Sequence, residues 1–134
     1  MKPGYIIAGV LIVFTVMTVL RTPAPTVDYS ASGIRPPPAA IPAEFDYGMK
    51  IFQEKCNECH GKWAEGTDKG PPLIHKYYEP SHHADFAFYR AVEIGVRAHH
   101  WQFGNMAPVA GVSKEEVSKI ILFVRWWQRQ NDIF

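Results

Sequence analysis

Cys56-Asn57-Glu58-Cys59-His60 is the segment of this chain whose residue types and spacing suit a specific chemistry. Two thiols three positions apart on a helical turn can both reach the two vinyl groups on one edge of a haem, while the adjacent imidazole projects beneath the iron. C-x-x-C-H is accordingly the attachment signature of c-type haem. The other uses of such a pair fit less well. A redox dithiol belongs in a βαβ pattern that this chain lacks, and a zinc site needs further thiolates or histidines at finger spacing. As a structural disulfide, so short a loop would constrain little.

With His60 on one side of the iron, the opposite position falls to methionine, histidine or nothing. Met1 and Met17 lie in an N-terminal apolar run, and Met49 stands only seven residues before Cys56. Met106 sits in a loop distant in sequence from His60, between Gly104 and Pro108, residues suited to a loop that approaches a ligand closely and then keeps its shape. Met106 is the candidate ligand, because Met/His ligation recurs in electron-transfer cytochromes. His99 and His100 are the rivals, with His75, His82 and His83 behind them.

Three amphipathic helices are expected to position these groups. The first is predicted over Glu44 to Cys59, with Phe45, Met49, Phe52, Cys56 and Cys59 on one face. A second is predicted over His83 to Val96, presenting Phe86, Tyr89, Val92 and Val96, with Gly95 near its end. The third starts at Ser113, which forms a capping box with Glu116, and continues through Val117, Ile120, Ile121, Val124 and Trp127 at helical spacing. Gly- and Pro-bearing loops, Gly61 to Pro80 and Arg97 to Val112, connect them, and no strand pattern or repeat is visible. The fold class is all-α.

With those residues in place, the region 44–134 resembles a class I bacterial cytochrome c of one haem. Gly48 and Phe52 match the family's first helix, whose small residue lets the C-terminal helix cross closely, and Phe123 falls where the family places the aromatic of that crossing. Gly70-Pro71-Pro72-Leu73 is similar to the family's proline loop, which implies that the Pro71 carbonyl accepts the Nδ1 proton of His60 and orients the imidazole. Trp101 stands five residues before Met106, where some members keep a tryptophan whose indole N–H meets a haem propionate; plain core packing is the other reading. Arg97 would either neutralise a propionate or be solvated. Two features depart from the family pattern: Met106-Ala107-Pro108 replaces the common Met-Pro-Pro, and the pairs His82-His83 and His99-His100 have no counterpart in it. The resemblance implies one covalent haem c bound through Cys56, Cys59, His60, Pro71, Trp101 and Met106, with iron held by His60 and Met106. It implies a one-electron carrier and no catalytic residue. The alternatives are a fixed haem subunit of a larger complex and a haem-based sensor.

Ahead of that domain, Tyr5 to Leu20 is an uncharged apolar run between Lys2 and Arg21. At about 1.5 Å per residue it spans roughly 24 Å, between a signal-peptide core and a membrane span. No small-x-small cleavage site closes it, so residues 1–20 are expected to be a retained single transmembrane helix, a removed signal being the other possibility. Residues 21–43 carry six of the eleven prolines and are expected to form an extended linker of up to about 70 Å. The expected location is the periplasmic side of the bacterial cytoplasmic (inner) membrane. The expected partners are the lipid bilayer, a quinol-oxidising donor complex, and an oxidase, reductase or photosynthetic reaction centre as acceptor. A formal net charge of +1, with 20% charged residues, gives no sign of nucleic-acid binding.

Overall fold

The structure, a computed structural model, describes residues 28–134. Its helices are α1 (Tyr29–Ser32), α2 (Ala43–Lys55), α3 (Asn57–His60), α4 (Asp85–Ile94) and α5 (Lys114–Gln130), with a 3-10 turn at Lys76–Tyr78. The apolar run at residues 5–20 lies outside the described residues. Among those described, no helix is long and apolar enough to cross a membrane.

The crossing of α2 and α5 organises the core. A Cβ placed on Gly48 would stand 2.0 Å from the Lys119 carbonyl oxygen and 3.2 Å from the Ile120 amide nitrogen, so only a residue without a side chain lets the two backbones approach this closely. Phe52 and Phe123 fill the crossing with ring centroids 5.5 Å apart, and both are fully buried. Phe45 stacks on Trp126 at 5.2 Å, and Trp63 lies against both Phe123 and Trp127. Val117, Ile120, Ile121, Val124 and Trp127 are all buried, as the periodicity of α5 predicts. The capping box closes as expected: Ser113 Oγ accepts from the Glu116 amide at 3.2 Å, and Glu116 accepts from the Ser113 amide at 2.7 Å.

Three expectations change. The first helix is not continuous to Cys59, because Cys56 adopts φ −122°, ψ −20°, which ends α2 and sets α3 out of register with it. Cys56 is therefore half-buried while Cys59 is exposed, rather than both lying on one helical face. In α4 it is Phe88 that packs on the core, and Phe86 is 69% exposed. No residue of α4 is fully buried, since its inner side, through Ala87, Phe88, Ala91 and Val92, borders a cavity.

The third change concerns the proline-bearing stretch. Proline removes amide donors but leaves side chains free to pack, and residues 28–42 lie on the domain. Ile34 is buried in the main core, and Tyr29 and Ile41 pack against it. The Arg35 amide donates to Asn131 Oδ1 at 2.7 Å, and its guanidinium bonds the Gln130 carbonyl and pairs with Asp132. Tyr29 Oη reaches Glu65 at 3.5 Å. This part of the expected linker forms one helical turn and docks at the end of α5.

Candidate functional site

The sequence places the chemically able residues far apart, and the fold gathers most of them on one cavity of about 360 Å³. Its wall includes Cys56, His60, Pro71, Trp101 and Met106, with Arg97, His83, His99 and His100 toward the loops and Phe52, Val117 and Ile120 from the core. Cys59 is not part of that wall and stands exposed.

His60 closes α3, where its amide donates to the Cys56 carbonyl at 2.9 Å. Its ring is oriented from behind: Nδ1 lies 2.8 Å from the Pro71 carbonyl oxygen, which can only accept. Nδ1 thus carries the proton, and Nε2 is the free ring nitrogen on a residue that borders the cavity. Burial lowers the His60 pKa, the Pro71 carbonyl pulling the other way, so the ring is neutral and able to ligate. Burial, with Cys59 as a lesser contributor, pushes the Cys56 thiol up to about 11, so this cysteine is not a resting thiolate nucleophile.

Met106 comes to the cavity on an isolated antiparallel bridge. The Val96 amide donates to the Met106 carbonyl at 3.0 Å, and the Met106 amide donates to the Val96 carbonyl at 2.9 Å. Gly95, at φ +78°, makes the turn out of α4, and a Cβ there would stand 2.4 Å from the Met106 carbonyl oxygen and 3.2 Å from Pro108. The bridge and the glycine fix the loop tightly, with Ala107 in place of the first proline of Met-Pro-Pro and Pro108 keeping the second.

Trp101 Nε1 is buried without a hydrogen-bond partner among the described residues. An indole N–H on a cavity wall with no well-formed hydrogen bond, although it lies near enough to Tyr78 to offset part of the rise that burial gives that phenol's pKa, suits a group that brings an oxygen, such as a carboxylate. Trp127 Nε1 is a second such atom, away from the cavity wall. The apolar wall, the half-buried Cys56, the oriented His60, the Met106 loop and the Trp101 donor together fit a haem c.

Two features were not legible beforehand. Arg125 on α5 is 7% exposed, and its guanidinium donates to Asp85 Oδ1, the Tyr78 carbonyl and Gln128 Oε1, each at 2.7 Å, and to the His83 carbonyl. Gln128 in turn donates to the carbonyls of Leu73 at 2.9 Å and Tyr78 at 3.0 Å. These two side chains hold the loop 73–83 against α5 and so shape one side of the cavity. The second feature is the meeting of the two histidine pairs. Burial lowers the pKa of His83, with smaller contributions from His82, His99 and Arg125 in the same direction and the Tyr77 carbonyl opposing them.

The model of the family described as Cytochrome c matches residues 45–128. No curated protein and no solved structure matches the chain.

Proposed function

We propose, from the premise that the chain belongs to the cytochrome c family, that it is a one-electron carrier with His60 and Met106 as axial ligands, working between membrane-bound complexes. Membership makes the chain an electron-transfer protein with a covalently bound haem c and its iron. The haem, when bound, supplies the ferric/ferrous couple. The residues of this chain do the rest. Cys56 and Cys59 hold the group by thioether bonds. The Pro71 carbonyl keeps the His60 proton on Nδ1, leaving Nε2 for the metal. A thioether such as Met106 carries no proton, so its ligation adds no protonation step to the transfer, and it favours the ferrous state relative to a second imidazole. Phe52, Phe88, Val117 and Ile120 keep the cavity apolar and limit water.

The observation that carries this reading is that His60 and Met106, 46 positions apart, border one cavity, each held by main-chain hydrogen bonds. Met106→Ala tests it. The midpoint potential should fall, and the ferrous protein should acquire carbon monoxide binding. An unchanged spectrum and potential would assign the position to another residue and favour a sensor if the unaltered protein already binds carbon monoxide.

In the same reading, residues 1–20 anchor the chain in the bacterial cytoplasmic membrane with the domain in the periplasm, accepting electrons from a quinol-oxidising complex and passing them to an oxidase, reductase or photosynthetic centre. The docking of residues 28–42 favours, as a second reading, a fixed subunit of a larger complex over a long-range shuttle. Isolation in mild detergent separates the two by whether a complex co-purifies.

A further inference from the structure

His82 and His83 precede α4, His99 and His100 follow it, and the fold brings the two pairs together. His82 Nε2 lies 3.2 Å from His100 Nε2, and His99 Nε2 lies 3.4 Å from His83 Nε2. The first contact is satisfied if one ring donates to the other. The second is not. His99 Nδ1 is 2.9 Å from the Arg97 carbonyl, and His83 Nδ1 lies against the Tyr77 carbonyl. Carbonyls only accept, so in both neutral rings Nδ1 holds the proton and Nε2 is a lone pair. Two lone pairs therefore face each other at 3.4 Å without a hydrogen between them.

A shared cation resolves that contact. The separation is long for a shared proton, since N–H hydrogen bonds run to about 3.2 Å. It suits a shared metal ion: two imidazole nitrogens each about 2.0–2.1 Å from a tetrahedral ion stand about 3.3–3.4 Å apart. The ligand atoms of His82, His83 and His100 all lie within 4.8 Å of one another. A ring whose Nδ1–H is tied to a carbonyl is also the arrangement that metal-ligating histidines generally use. The nearby positive charge of Arg125 is paired with Asp85.

We propose that His82, His83 and His100, with His99 beside His83, form a second metal site, distinct from the haem iron, for a divalent transition-metal ion. An all-imidazole donor set disfavours calcium and magnesium, which take oxygen ligands. The two close nitrogen pairs, His82–His100 at 3.2 Å and His83–His99 at 3.4 Å, stand near the tetrahedral value, which favours zinc over a square-planar copper(II) site, whose adjacent ligands stand about 2.8–2.9 Å apart at a similar bond length. The ion would clip the loop before α4 to the loop that carries Met106.

The test uses the haem-loaded full chain, stripped with a chelator and dialysed against buffered zinc, with bound zinc and iron counted per polypeptide. One saturable equivalent of zinc per haem is expected. His82→Ala, His83→Ala and His100→Ala should each weaken it at least ten-fold, and the variant lacking all three imidazoles should lose it, with the haem spectrum unchanged in His82→Ala, whose residue lies off the cavity wall. Should a variant misfold, zinc protection of these histidines against diethyl pyrocarbonate, read by mass spectrometry on the unaltered chain, gives the answer independently. The absence of a saturable equivalent, equal binding in the triple variant, or no protection would each overturn the site. A haem that loses its sixth ligand in His100→Ala but keeps it in Met106→Ala would place that imidazole on the iron and overturn it as well.

Discussion

At Arg125 a single guanidinium serves a carboxylate, an amide oxygen and two backbone carbonyls, a pattern that depends on its planar fork of donors. Lysine keeps the charge but cannot reach in that many directions. Arg125→Lys should therefore leave the part-buried His83 carbonyl without this donor, the Tyr78 carbonyl keeping Gln128, and cost about 1–3 kcal/mol, measured by urea denaturation of the haem-loaded protein. A loss below about 0.5 kcal/mol would mean that water takes over the contacts. Nothing in the sequence distinguishes this arginine from a solvated one, because three of its four partners lie 40 or more positions away. Cys56, His60 and Met106 stood out as candidates for the opposite reason: thiols, a following imidazole and a loop methionine are scarce residue types that already narrow the chemistry, whereas Pro71 came only through the resemblance to the family's proline loop. The histidine pairs carried no such local signal, since their meeting depends on two loops folding across α4.

Among the elements, α5 was readable nearly to the residue, because a capping box and an unbroken apolar repeat are both local. The break at Cys56 was not, and α4 was read one face off, since its inner side borders a cavity instead of solid core. The α2–α5 crossing gives a sharp expectation. Gly48→Ala adds one methyl group into the Lys119 backbone, which cannot rotate away, so the helices must separate. The cost should be about 1–3 kcal/mol, seen as a lower melting temperature with the haem spectrum intact. An unchanged melting curve would contradict the close approach. The capping box gives a pH expectation. Hydrogen bonds from Ser113, first its amide and then its hydroxyl, hold the Glu116 pKa below the ordinary glutamate value. The carboxylate thus contributes stability that is fully present above the unfolded pKa, about 4.3, and is lost as pH falls through the lower folded value. Glu116→Gln should flatten the decline in melting temperature below about pH 4.3, relative to the unaltered chain. Parallel curves would show that the box adds no proton linkage.

On the scale of the whole molecule, the family match begins at residue 45, yet the folded unit takes in residues before it. Composition suggested otherwise, because a run of prolines signals the absence of helix and sheet and is silent about whether an isoleucine among them finds a core. Deleting residues 1–27 should leave the melting temperature of the haem domain unchanged, whereas deleting 1–42 should lower it. Burial of Ile34 alone is worth about 1.5–3 kcal/mol, while the exposed Arg35–Asp132 pair adds about 1 kcal/mol or less. Equal melting temperatures for the two truncations would mean that the docked segment is not held in solution.

That docking redraws the leash. An anchor ending at residue 20 and a domain starting at residue 44 would leave 23 residues between them, a reach of about 71 Å at roughly 3.1 Å each. With residues 28–42 seated on the domain, only residues 21–27 remain between the proposed anchor and the docked segment, and at the same roughly 3.1 Å each they would reach about 22 Å. Swept volume scales as the cube of that radius, so the territory open to the haem shrinks about thirty-fold. Electron exchange would then be confined to redox centres that present themselves close above the bilayer surface, and partners would have to come to this cytochrome more than it goes to them.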